Sequence, residues 1–222
     1  MLKKITLLFL SFILAINGFA QNGTSENAKP QSLELSSGIE GSILQFANFT
    51  NNSKSVNTIP RYTFFLNGGI HANYNISNTF RAFTGLDFKN IGLIDKYSDT
   101  LKVKRRMYAI GAPLGLKIKI KQKLKLKIGA DFNLVFNYKE KVFINGDKKS
   151  KFNEFFSDKT PLFYPSIFAG IIIDKISLSA NYYPNNFFNS DYKFYSKMEA
   201  KLFTISVGVH LENQSKTKSK TK

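Results

Sequence analysis

The stretch from Leu114 to Phe136, LGLKIKIKQKLKLKIGADFNLVF, decides the fold. Its even-numbered positions are apolar except Gln122, and its odd-numbered positions are mostly lysine. Because side chains alternate between the two faces of a strand, this period of two predicts a β-hairpin with one apolar and one charged face. Residues opposite each other share a face, so the loop has an odd length, most simply Lys121-Gln122-Lys123.

The first twenty residues predict a cleaved signal peptide. Two lysines precede the apolar core ITLLFLSFILAI, and Gly18 and Ala20 stand three and one residues before a cut at Gln21. A membrane anchor needs about 20 apolar residues, and Asn17 and Gly18 interrupt the run too early. We therefore assign residues 1–20 to the signal peptide and 21–34 to a flexible lead-in.

The charge and the absence of cysteine narrow the class of protein. The 222 residues carry a formal net charge of +17 and no cysteine, so disulfides and a lipid-anchoring cysteine are excluded. An exported chain without a nucleic-acid motif is not expected to bind nucleic acid, and outer-membrane lipid or lipopolysaccharide is the expected anionic partner. The lysine-rich segment 213–222 is expected to be disordered.

Alternating patterns predict eight strands in the rest of the chain. These lie at about 35–49, 61–74, 78–90, 104–120, 124–138, 161–173, 175–184 and 197–211. Tight turns, at Asn75-Ile76-Ser77, Lys121-Gln122-Lys123 and Asp174, alternate with longer loops at 50–60, 91–103, 139–160 and 185–196. This plan predicts an all-β protein, an eight-stranded antiparallel up-and-down transmembrane β-barrel over 35–212 in the outer membrane, with its tight turns in the periplasm.

A soluble eight-stranded barrel such as a lipocalin is the competing architecture, since it shows the same period with the faces reversed. The regular alternation of loop lengths favours the membrane barrel. Aromatic residues near strand ends also favour it, among them Tyr182, Tyr183, Phe187 and Phe188, because membrane barrels carry aromatic girdles at both interfaces.

Two segments resemble the PorT-like family of small outer-membrane β-barrels in Gram-negative bacteria. The segment 84–92, TGLDFKNIG, is similar to the third-strand pattern of that family, and 108–117, YAIGAPLGLK, to its fourth strand. The resemblance implies a small eight-stranded barrel behind a signal peptide, with a role in a secretion or gliding apparatus. The chain departs from the family in having Ala112 before Pro113, where the family favours isoleucine, and in lacking a C-terminal aromatic residue.

Inward-facing polar side chains are the candidate site, because an eight-stranded barrel is just wide enough for side chains to fill it. This interior cluster is predicted to contain Glu40, His71, Arg81, Asp87, Lys89, Lys117, Lys119, Lys125, Lys127, Asp131 and His210. Its basic residues outnumber its carboxylates, so we expect lysines to line a hydrated periplasmic mouth or to hold an anion there. Glu40 is expected to lie between the two histidines.

The sequence contains no metal-ligand spacing, nucleophile motif or phosphate-binding loop, so no enzymatic activity and no cofactor are expected. We expect a structural protein or a surface or assembly partner that binds envelope proteins through loops 139–160 and 185–196. A narrow anion-selective pore is the second hypothesis for the function, and a lipid A-modifying enzyme is the third. The oligomeric state, the ligand and the pathway have no signature in the sequence.

Overall fold

The computed structural model describes residues 33–212, apart from the side chains of residues 40, 42, 43, 64, 65, 66 and 212. The predicted signal peptide, nearly all of the lead-in and the tail at 213–222 lie outside the described residues. Within the described range there is no helix long and apolar enough to cross a membrane.

Residues 33–212 form ten β-strands. They are β1 Leu33–Asn51, β2 Lys54–Ile59, β3 Arg61–Asn75, β4 Phe80–Lys96, β5 Leu101–Lys121, β6 Leu124–Ile144, β7 Asp147–Phe155, β8 Ser166–Ile173, β9 Ile176–Tyr183 and β10 Met198–Glu212. All pairings are antiparallel, and they run from β1 through β10, β9, β8, β6, β5, β4 and β3 back to β1. The predicted all-β antiparallel barrel is confirmed, whereas the predicted count of eight strands is not.

The two additional strands, β2 and β7, come from segments that the sequence pattern assigned to loops. β2 forms a hairpin with β1 through Asn52 and Ser53, both at positive φ, and it pairs with β4 beyond the point where β3 ends. β7 pairs with β6 through Asn145 and Gly146, where the sequence also indicates a hairpin turn. Both strands extend the sheet at one end of the barrel.

The barrel has two unlike ends. The short-turn end carries the turns at 76–79, 122–123 and 174–175, together with Leu33 and Glu212. The long-strand end carries β2, β7, the turn at 97–100 and the segment 184–197. β4 has 17 residues and β5 and β6 have 21 each, against about 9–11 needed to cross a bilayer. The predicted loop at 91–103 is therefore wrong, since both strands continue through most of it.

The hairpin at residues 114–136 differs from its prediction in one detail. Its turn has two residues, Gln122 and Lys123, and a register shift lies between Lys119 and Lys121. This β-bulge supplies the extra residue that the parity of the pattern requires, so the predicted three-residue turn is wrong. Lys117 still lies opposite Lys127, and Lys119 opposite Lys125, as predicted.

The two faces of the hairpin are oriented as a membrane barrel requires. Phe132 on the outward face is 51% exposed, whereas the neighbouring Asp131 is 1% exposed inside the barrel. Other outward side chains are also exposed and apolar: Ile110, Leu116, Ile120, Leu126, Ile128 and Leu134. A soluble barrel would bury such residues, so the reversed arrangement is excluded.

Two glycines allow aromatic rings to pack across the inner wall. Gly115 lies opposite Gly129, and the rings of Phe83 and Phe168 from the flanking strands lie with centroids 5.9 Å apart. A Cβ atom on Gly115 would lie 2.7 Å from the Phe83 ring, and one on Gly129 would lie 2.6 Å from the Phe168 ring. The missing side chains therefore provide the space that the two rings occupy.

We expect Gly115→Val and Gly129→Val each to lower the free energy of unfolding by about 1–3 kcal/mol through overpacking. The measurement is urea unfolding of the detergent-folded barrel, followed by heat-modifiable migration on a gel. Ala130→Val, which enlarges a residue that faces outward, is the control and should unfold like the wild type. Unchanged midpoints for both glycine variants would contradict this packing.

Candidate functional site: the barrel interior

The inward faces of the strands form a polar cluster in the half of the barrel near the short-turn end. Lys117 is one of its most buried charged residues, at 2% exposed. Its Nζ donates to Asn73 Oδ1 at 2.7 Å and lies 3.1 Å from His210 Nε2 and 5.0 Å from the centre of the Phe83 ring. Since an ammonium group only donates, His210 Nε2 is the acceptor in this contact.

Farther from the short-turn end than Lys117, two carboxylates pair with basic groups. His71 Nε2 lies 2.8 Å from Asp87 Oδ1. Lys89 Nζ lies 2.5 Å from Asp131 Oδ2, which also accepts a hydrogen bond from Ser166 Oγ at 3.1 Å. The inward charges are therefore arranged as specific pairs, with hydroxyl and amide groups between them.

A cavity of about 70 Å³ lies among these groups. Its lining includes His71, Asp87, Lys117, Lys127, Ser179 and His210. Because one water molecule needs at least about 10–15 Å³ of cavity volume, this cavity has room for a few water molecules or one small ion.

The predicted interior residues separate into three groups. His71, Asp87, Lys89, Lys117, Lys127, Asp131 and His210 line or adjoin the cavity. Arg81, Lys119 and Lys125 lie nearer the short-turn end, where Arg81 pairs with Glu34 at 3.3 Å and Lys119 is exposed. The backbone of Glu40 pairs with Asn67 and Gly208, but its side chain lies outside the described residues. The anion expected at the mouth stays a prediction.

A separate set of polar side chains links β1, β3 and β4 at the place where β3 diverges from β4. Arg61, which is buried, donates to Gln45 Oε1 and, at 2.7 Å, to Asn90 Oδ1. Gln45 Nε2 in turn donates to the Asn90 carbonyl at 3.0 Å. These side chains supply hydrogen bonds at a place where the strand ladder is interrupted, and the sequence pattern did not indicate them.

Aromatic and aliphatic side chains fill the interior toward the long-strand end. We call this the aromatic core: Phe49, Ile91, Leu93, Met107, Ala109, Val135, Tyr138, Tyr164, Tyr183, Phe187, Phe188, Tyr195, Ala200 and Leu202. The rings of Tyr164 and Tyr183 stack at 5.0 Å, and Phe188 meets Tyr195 edge-on at 5.0 Å. Ile91 and Tyr183 of this core also line the polar cavity, so apolar packing borders the cavity on this side.

The segment 184–197 supplies three aromatic rings of this core, which corrects two predictions. Phe187 and Phe188 are buried inside the barrel, so they are not part of an aromatic girdle facing lipid. The backbone N–H of Phe187 donates to the Ala200 carbonyl at 2.8 Å, which holds the segment against β10. Most aromatic side chains of the predicted surface loop at 185–196 thus pack inside the barrel.

A charged cluster lies beyond the aromatic core. Arg105 pairs with Asp95 and, at 2.9 Å, with Glu140, whose Oε2 also accepts hydrogen bonds from the hydroxyls of Tyr138 and Tyr195. Burial favours the protonated acid, but the Arg105 charge and the two hydroxyls hold the pKa of Glu140 below its ordinary value of 4.5. The sequence reasoning missed this cluster because it assigned two of the three charged residues to loops.

The alternation itself was the missed signal. Leu93 and Asp95 continue the inward parity of β4, and Val103, Arg105 and Met107 that of β5. Among the described residues, no group of three histidine, aspartate or glutamate side chains could hold a metal ion.

Comparisons with known proteins give the following matches. The family model described as "Outer membrane protein beta-barrel domain" matches residues 19–192. Among solved structures, the chain is similar to Ail, the attachment invasion locus protein of Yersinia pestis, with a TM-score of 0.36, 11% identity, and coverage of 81% of this chain and 97% of Ail. It is also similar to Neisserial surface protein A, with a TM-score of 0.39, 16% identity, and coverage of 82% and 99% respectively. No curated protein matches the chain.

Breaking the Lys89–Asp131 pair should destabilise the barrel, because Asp131 is almost fully buried. We expect Lys89→Met to lower the free energy of unfolding by about 3–5 kcal/mol. Adding Asp131→Asn should restore part of that loss, since the stranded charge is then removed. Urea unfolding of the detergent-folded protein measures both effects. Lys119→Met, at an exposed lysine, is the control, and a loss as large as that of Lys89→Met would contradict the pairing.

The lowered pKa of Glu140 predicts a pH dependence. A carboxyl with a depressed pKa in the folded state stabilises that state above its unfolded pKa of 4.5, and this contribution disappears as the pH falls through the lower, folded value. Glu140→Gln should therefore unfold at a lower temperature than the wild type near pH 7, and the gap should shrink below pH 4.5. Glu199→Gln, at an exposed position, is the control. A gap that is independent of pH would refute the assignment.

Proposed function

Because this chain belongs to the outer membrane protein beta-barrel domain family, we propose that it is a closed outer-membrane barrel without enzymatic activity that serves as a structural or surface partner in the cell envelope. The single observation that carries the proposal is the aromatic core, which fills the interior toward the long-strand end. A barrel packed in this way presents its outer wall and its extensions to partners, and the polar cavity among its described residues is small.

The proposed orientation follows the usual plan of outer-membrane barrels, with the short-turn end in the periplasm and the long-strand end outside. The eight strands of the closed path, β1, β3, β4, β5, β6, β8, β9 and β10, are then the membrane-crossing set. β2 and β7 lie beyond the membrane. Export by a cleaved signal peptide at 1–20, in a Gram-negative envelope, belongs to the same proposal.

An aromatic row on the outward face supports this placement. The rings of Phe88 and Tyr108 lie 5.9 Å apart, as do those of Phe88 and Phe136, and Phe136 stacks on Phe155 at 6.4 Å. Tyrosine and other aromatic side chains favour the membrane–water interface. We place the outer interface at this row, so that β4, β5 and β6 project beyond it.

The outer extensions are the proposed contact surface for envelope proteins. β7 pairs only with β6 among the described strands, so its second edge is open to a further strand. The segment 184–197 contributes a smaller part, since most of its aromatic side chains pack inside, whereas Phe194 remains exposed.

A narrower assignment to the PorT-like group rests on the segments 84–92 and 108–117. Their inward residues include Asp87, Lys89 and Lys117, which belong to the polar cluster. We propose this assignment on that ground, and with it a link to secretion or gliding. Loss of secretion or motility on deletion of the gene, restored by the wild-type chain, is the outcome expected.

The sequence is also compatible with two other functions. An anion-selective pore needs a continuous water path, which the stacked and edge-on rings of the aromatic core oppose. A lipid A-modifying enzyme needs its reactive groups at the outer leaflet, whereas His71 and His210 lie toward the short-turn end. An unaltered lipid A profile on overexpression is the result expected for a non-enzyme.

Planar-bilayer recording tests the closed barrel. We expect no steady anion-selective steps from the wild type, and intermittent conductance from Phe187→Ala/Phe188→Ala, which removes two rings of the aromatic core. Phe155→Ala/Phe156→Ala removes two exposed rings and is the matched control, which should stay silent. Heat-modifiable migration verifies that each variant is folded. Steady anion-selective steps from the wild type would establish the pore instead.

A further inference from the structure

Beyond the aromatic row, the outward faces of β5, β6 and β7 carry a sheet of basic side chains. We call it the basic face: Lys102, Lys104, Arg106, Lys139, Lys141, Lys148 and Lys151. Lys104 lies opposite Lys141, which lies opposite Lys151 on the next strand. Arg106 lies opposite Lys139. Three neighbouring strands thus present adjacent positive charges to the same side.

Like charges placed directly opposite each other destabilise a sheet, because their Cβ atoms are only about 4.5–5.5 Å apart. The carboxylates of the described residues nearby are engaged elsewhere. Asp95 and Glu140 face inward to Arg105, Asp99 pairs with Lys96 at 2.6 Å, and Asp147 with Lys149 at 3.4 Å. Repulsion within the basic face is therefore not relieved by acidic side chains of the described chain.

The pKa of Lys141 agrees with this geometry. Its pKa is lowered from the ordinary value by desolvation and by the charges of Arg106, Lys139, Lys148 and Lys151. Desolvation and the four neighbouring charges all lower this pKa, because each of those neighbours is positive. A multivalent anion bound there would remove the repulsion.

The position of the basic face, next to the aromatic row at the membrane interface, indicates the source of that anion. Arg106 Nη1 lies 3.4 Å from the Tyr108 hydroxyl of the aromatic row, and Lys104 Nζ lies 4.9 Å from the centre of the outward Phe143 ring. On the membrane side of that row, the outward surface is apolar at Ile110 and Leu134. A single amphiphile could therefore lay its acyl chains on the apolar wall and its headgroup on the basic face.

We propose that the basic face binds the phosphorylated headgroup of lipopolysaccharide in the outer leaflet. Lysine supplies point charges to phosphate, and Arg106 adds a planar fork that can hold two phosphate oxygens. This inference rests on the proposed function, since the long-strand end must face the cell exterior for lipopolysaccharide to reach it. An acyl-chain anchor distinguishes this ligand from a soluble acidic polymer.

The test compares two triple variants of the full-length exported chain in detergent micelles. Lys104→Gln/Lys141→Gln/Lys151→Gln removes the central row of the basic face. Lys121→Gln/Lys123→Gln/Lys175→Gln removes three exposed lysines from the short-turn end, with the same change in net charge. The probe is bis-phosphorylated lipid A, and its binding is measured by titration with native mass spectrometry. Dephosphorylated lipid A and dextran sulfate are titrated in parallel.

We expect the first triple variant to bind lipid A on the order of a hundredfold more weakly than the wild type, since each of the three basic residues near an anionic surface contributes about 1 kcal/mol. The second should bind within about twofold of the wild type, because surface substitutions away from the site have little effect. Dephosphorylated lipid A should not distinguish the three proteins. The variants should fold normally, since each substitution removes only an exposed or half-exposed charge.

Three results would overturn the inference. Equal weakening by both triple variants would mean that net charge alone attracts the lipid. Unchanged binding by the first triple variant would mean that the basic face takes no part. Dextran sulfate binding as tightly as lipid A, and equally sensitive to the first variant, would make a soluble polymer the ligand. Failure of the wild type to appear in the outer membrane would instead refute the proposed function itself.

Discussion

The whole structure depends on the closure of the backbone ladder between the first and last described strands. β1 and β10 pair antiparallel from Ser36 and Glu212 to Asn51 and Met198, with one register shift between Ser42 and Leu44. In a bilayer core every backbone N–H and C=O needs an internal partner, so an open sheet edge there is excluded. Closure also fixes which side chains face inward, and it confines the charges of the pattern to a narrow interior.

That interior is divided along its length by two kinds of packing. Toward the short-turn end, charged side chains such as Lys89, Lys117 and Asp131 are matched with specific acceptors or donors around a small cavity. Toward the long-strand end, stacked and edge-on aromatic rings exclude such groups. Arg105 and Glu140 restore charge only beyond the rings. The strands thus form a continuous wall, whereas the aromatic core separates the polar groups at the two ends of the interior.

Period-two alternation was enough to predict an antiparallel all-β barrel and the two faces of the opening hairpin. The strand bounds were wrong where strands continue through segments that had been assigned to loops. These are β2, β7, the end of β4 and the beginning of β5. The partners of buried charges were also out of reach. Lys89 and Asp131 are not paired neighbours in the ladder and are 42 residues apart in sequence, so their contact depends on the stagger of the strands. A single sequence gives no measure of that stagger.

The meeting of β1 with β10 also has a kinetic consequence. These two strands are separated by almost the whole described chain, so their ladder has a very high sequence separation, and such contacts form slowly. Until β10 is in place, the sheet retains two unpaired edges that can take up a strand from another molecule. Pairing of β1 with β10 is therefore expected to be a late step of folding. Until it occurs, both unpaired edges need protection from other strands.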